Sequence, residues 1–79
     1  MRVTFYQDED ALYIGISEKE FSYGKDLDEF RHLNFSEDHE VIGVEFLSVS
    51  HGVDLSNIPE DLKAAIEPIL AERDVKLFA

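Results

Sequence analysis

Glu40-Val41-Ile42-Gly43-Val44-Glu45-Phe46-Leu47-Ser48-Val49 is the longest run of β-forming residues in the chain, and polar turn material bounds it. Side chains alternate along an extended strand. Ile42, Val44 and Phe46 therefore share one face, and Val41, Gly43, Glu45, Leu47 and Val49 share the other. The first face is wholly apolar. The second is apolar except for one carboxylate and one glycine. A strand covered on both sides belongs in the middle of a sheet, so the rest of the chain is expected to be arranged around this one.

The chain has 79 residues, enough for a single domain (1–79) whose one core is only just sufficient. Its 44% hydrophobic content marks a globular protein despite a formal net charge of -11. It contains no cysteine, which excludes disulfides, a catalytic thiol and cysteine-based zinc sites and fits a reducing compartment. No apolar run approaches the roughly 20 residues that span a bilayer. The opening Met1-Arg2-Val3-Thr4-Phe5-Tyr6 lacks the basic-then-apolar layout of a signal peptide. A cytoplasmic protein is the expectation. With 18 acidic against 7 basic residues, nucleic acid and membrane surfaces are disfavoured partners, because both are bound through basic patches. A basic protein partner suits this charge better.

Working outward, Val3 and Phe5 alternate with Arg2, Thr4 and Tyr6 in a first strand, and Gln7-Asp8-Glu9-Asp10 supplies a turn. Ala11 to Ser17 reads as a second strand with Leu12, Ile14 and Ile16 on one face, paired with the first as an antiparallel hairpin. Tyr13 and Gly15 take the opposite face, near Tyr6. Residues 18–28 read as a polar loop, with Gly24 as its candidate for a positive φ. Residues 29–35 form a third strand, and Ser36-Glu37-Asp38-His39 turns the chain into the central one. A helical part over 57–73 follows. Asn57 is its candidate cap, Pro59 and Glu60 lie in its first turn, and Leu62, Ile66, Ile69 and Leu70 form one apolar stripe. Pro68 predicts a kink or restart, and residues 74–79 predict a short strand or a docked tail.

Two pieces stand out together: Tyr6-Gln7-Asp8-Glu9-Asp10-Ala11-Leu12-Tyr13-Ile14 and Val41-Ile42-Gly43-Val44-Glu45-Phe46-Leu47. Over roughly residues 3–50 the chain resembles a small bacterial and archaeal family, the domain of unknown function 2283. Its pattern runs from a tyrosine through an acidic turn to Asp-Ala-Leu-Tyr-Ile and closes with a Gly-hydrophobic-Glu-hydrophobic strand. The resemblance implies no established activity and no agreed catalytic residues. It implies kinship with proteins that look like components of toxin–antitoxin pairs. Asp10 falls on a position of the family pattern, with a structural part in the turn. The family usually has glycine before the central strand where this chain has His39. Histidine tolerates the left-handed conformation such a turn needs.

Candidate chemistry is sparse. His32, His39 and His51 lie on different elements without the spacings that put ligands on one face, so no metal site and no cofactor are expected. Asp8, Glu9 and Asp10 lack the longer loop, the turn glycine and the distal glutamate of a calcium site. Glu45 stands out, because a carboxylate on a largely apolar face is costly unless paired or protonated. Tyr13, Tyr6 and Arg31 are its candidate partners.

The expected fold is α+β: two consecutive hairpins make a four-stranded antiparallel sheet (2–50), with a C-terminal helix packed on one face. The other face carries Tyr6, Tyr13, Gly15, Gly43, Glu45 and Leu47. It is expected to be an interaction or ligand face left partly apolar. The expected function is a non-catalytic interaction module that forms a homodimer, antitoxin-like toward a basic protein. The alternative is a ligand-binding or enzymatic domain that uses Glu45 and Tyr13.

Overall fold

The computed structural model describes residues 1–78, the last of them by its backbone. These residues group into two compact units, Met1–Leu47 and Ser48–Ala79. The first unit is a five-stranded antiparallel sheet of β1 (Arg2–Tyr6), β2 (Ala11–Gly15), β3 (Tyr23–Asp28), β4 (Arg31–Phe35) and β5 (Val41–Leu47). The strand order is β1-β2-β5-β4-β3, which puts β5 in the middle as its two-sided apolar pattern requires. β1 pairs with β2 and β4 with β5, so both expected hairpins form.

The sheet has five strands where the sequence pattern suggested four. The extra strand, β3, lies within residues 18–28, read above as a polar loop. It is an edge strand carrying Lys25, Asp26 and Asp28, and almost all of it is exposed. A strand with no buried face shows no apolar alternation, and charges on an edge discourage further pairing. Gly24 lies inside β3 and Gly52 is the glycine with positive φ. Gly24 thus serves close packing, not a turn.

On one face of the sheet Leu12, Ile14, Val44 and Phe46 are fully buried, with Leu33 and Ile42 nearly so. Each such side chain contributes about 1.5–3 kcal/mol of transfer free energy. Arg31 shares this face, opposite Phe46, and is only 5% exposed. Its charge is balanced locally: Nε and Nη2 donate to Asp28 Oδ2 at 3.0 and 2.8 Å, across a β-bulge. The guanidinium, helped by the Phe30 backbone N–H, holds the Asp28 carboxyl below its usual range.

The turns carry left-handed residues that are not glycine: Asp10, His39, Ser48, Asn57 and Asp74. Asp and Asn bear this conformation best because their short polar side chains bond locally. Asp10 (φ 52) closes the turn between β1 and β2, its N–H donating to the Gln7 carbonyl at 3.2 Å. His39 (φ 67) does the same for the turn before β5, donating to Ser36 O at 3.0 Å. Lys19 bridges Asp38 and Glu40 beside it, each at 2.8 Å. Lys19 and Ser36 together pull the Asp38 carboxyl down to about 2.

In the second unit, β6 (Val53–Asp54) pairs in parallel with β7 (Leu77–Phe78), so the tail ends in a short strand. Ala79, the last residue of that expectation, lies outside the described residues. Between them α1 (Glu60–Glu72) buries Ile66 and Leu70. The helix runs through Pro68 without a restart. The expected cap fails: the residue preceding the helix is Pro59, with no side-chain cap. Asn57 is spent in a left-handed turn instead, at φ 62. The far end closes as a Schellman motif: Val75 N–H reaches Leu70 O and Asp74 N–H reaches Ala71 O, both at 3.1 Å. Asp74, at φ 57, holds the place usually given to glycine. Among the described residues no helix is long and apolar enough to cross a membrane.

Candidate functional face

The register fixes which side chains share the second face of the sheet. Reading across all five strands, Thr4, Tyr13, Glu45, His32 and Asp26 form one row. On one side of it lies the row Arg2, Gly15, Gly43, Asn34 and Gly24. On the other side Tyr6, Ala11 and Leu47 form a third row. All six face residues expected from the sequence, Tyr6, Tyr13, Gly15, Gly43, Glu45 and Leu47, therefore lie on one side of neighbouring strands. Ala11 and Gly43 are buried there, Tyr13 and Glu45 half-buried, and Tyr6 and Leu47 exposed.

Two rings lean over two glycines. The Tyr13 phenol covers Gly43 so closely that a Cβ at position 43 would meet Cζ at 2.6 Å and Cε1 at 2.9 Å. The His32 imidazole covers Gly24, where a Cβ would meet Cε1 at 2.7 Å. In each case a glycine makes room for a diagonal cross-strand neighbour. His32 Nδ1 is 2.6 Å from Asp26 Oδ1, which sets the ring's tilt toward β3.

Glu45 thus stands between Tyr13 and His32, directly opposite both. Neither ring turns toward it: Tyr13 leans over Gly43 and His32 over β3, away from β5. Arg31 is on the reverse face with Asp28, and Tyr6 is opposite Ala11. None of the three partners expected for Glu45 bonds it. Partial exposure leaves water to solvate the carboxylate, so no buried partner is needed. His32 beside Glu45 went unforeseen. The paired positions on β4 and β5 follow from counting back from the turn at 36–40, but the bulge between Asn34 and Phe35 shifts that count by one.

His39 stays apart, its Nδ1 2.8 Å from the Tyr23 hydroxyl. Tyr23 itself stacks on Phe35 at a centroid distance of 4.9 Å. Among the described residues no group of three His, Asp or Glu side chains is placed to hold a metal ion. A depression of about 200 Å³, lined by Met1, Arg2, Gly15, Ile16, Ser17 and Glu18, includes neither Glu45 nor Tyr13.

The sequence model of a family described as "Protein of unknown function (DUF2283)" matches residues 2–50, which covers the whole sheet. No curated protein and no solved structure matches the chain.

Proposed function

The chain belongs to the DUF2283 family, and we propose that it is a non-catalytic protein-interaction module that self-associates through the open face of its sheet. One observation carries this reading. The space beside Glu45 that an active site would need is filled, because the Tyr13 ring lies down on Gly43. What remains is a mixed surface, with Tyr6, Tyr13 and Leu47 beside Arg2, Thr4, His32 and Asp26, which suits a protein partner better than a small molecule. The net charge of -11 supports a basic protein as a further, antitoxin-like partner, whose approach would be steered electrostatically.

A second reading has its own observation. Asp26, His32, Glu45 and Tyr13 line up in one row, and an Asp–His pair beside a carboxylate is a composition suited to proton transfer. The first reading is favoured because the two rings tilt in parallel instead of converging on Glu45.

The test is sedimentation of the wild type beside Leu47→Glu. Leu47 is exposed, so the substitution leaves the fold intact, while a carboxylate in the contact should weaken self-association about tenfold or more. Equal association of the two proteins counts against the face.

A further inference from the structure

The two edges of the sheet differ. β3 carries Lys25, Asp26 and Asp28 and a bulge, the devices that prevent edge-to-edge pairing. β1 reads Arg2-Val3-Thr4-Phe5-Tyr6, with one charge and an unbroken register against β2. Among the described residues no backbone hydrogen bond beyond those to β2 is made by β1. Phe5 and Tyr6 are large apolar groups left exposed on it, at 49% and 44%.

We propose that β1 pairs antiparallel with β1 of a second copy, about a two-fold axis through Thr4, joining two sheets into one of ten strands. The inference rests on the self-association proposed above and adds to the contact through the face a second one, at the sheet edge. The strand is self-complementary in this register. Thr4 meets Thr4, Val3 meets Phe5 and Arg2 meets Tyr6, so every position finds a fitting neighbour. The last pair sets a guanidinium beside a phenol ring.

Charge selects the direction. Asp8 and Glu9 follow β1 immediately, in the turn Gln7–Glu9. Antiparallel pairing brings each Arg2 toward the acidic turn of the other copy. Parallel pairing would set the two acidic turns side by side, a penalty in a chain already at -11. The two-fold axis is perpendicular to the sheet, so both open faces point the same way. Thr4 lies opposite Tyr13 and therefore on that face, as do Arg2 and Tyr6. Pairing thus doubles the surface that carries Glu45.

Thr4→Cys tests the arrangement in a chain that has no other cysteine. Under mild oxidation it should form a covalent dimer at least tenfold faster than Asp26→Cys on the opposite edge. Arg2→Glu, at an exposed position, reads the same contact without a new thiol. It should weaken association about tenfold by setting acid beside acid. A chain that dimerises but crosslinks no faster through Thr4, or whose association ignores Arg2→Glu, overturns the β1 pairing and leaves the face proposal standing. A chain that stays monomeric overturns both.

Discussion

The Tyr13 ring occupies the volume in which a side chain at Gly43 would lie, although the two residues are diagonal neighbours and not paired partners. Gly43→Ala must push the phenol off the face. A loss of about 1–3 kcal/mol is expected, the usual cost of overpacking. In a Tyr13→Ala background the same substitution should cost much less. A double-mutant cycle by chemical denaturation measures this coupling, and additive costs would show that the ring is not what excludes the methyl.

Asp28 and Arg31 make a pH-dependent contribution. The Asp28 carboxyl lies below its unfolded value because Arg31 donates to it. A depressed folded pKa gives stability that is present above the unfolded value of about 3.9 and lost as pH falls through the folded one. Asp28 is 40% exposed, so solvent screens the pair, and Asp28→Asn should cost about 1–2 kcal/mol at pH 7. That gap should close below about pH 4, as measured by denaturation across pH. A gap as wide at pH 3 as at pH 7 would contradict the assignment.

His39 exchanges one local term for another. Its left-handed backbone costs a residue with a Cβ about 1–2 kcal/mol, while the contact of its Nδ1 with the Tyr23 hydroxyl returns about 1 kcal/mol. His39→Gly should therefore leave stability within about 1 kcal/mol of wild type. His39→Ala keeps the strain, loses the contact and should be the less stable of the two. Thermal melts of the pair decide it, and an Ala variant as stable as the Gly variant would contradict the strain.

Glu45→Gln keeps the shape of a half-buried side chain that has no hydrogen-bond partner among the described residues. Its melting temperature should match wild type within a few degrees, and self-association should be unchanged or stronger as a charge leaves the face. If the intact variant lost a measurable turnover, Glu45 would be a catalytic acid or base.

Much of this architecture was legible in the residues. The two-sided apolar pattern of Val41–Leu47 placed it at the centre of the sheet, and alternation with short turns gave the two hairpins, whereas the adjacency of β2 and β5 that joins them had no signal in the residues. Alternation told which side chains share the Tyr13 face. β3 was hidden because an edge strand exposed on both faces has no pattern to read. The neighbours of Glu45 were hidden for a different reason: periodicity gives the face of a residue but not its register. One bulge between Asn34 and Phe35 decides whether His32 or its neighbour stands opposite the carboxylate. Asn57 misled because the residues that cap helices also tolerate left-handed turns, and here the turn took it.

Binding of this chain to another copy of itself underlies both the face and the β1 proposals. Sedimentation equilibrium of the unmodified chain across the micromolar range tests it most directly. A dimer that dissociates on dilution is expected, and a monomer at every concentration would rule self-association out.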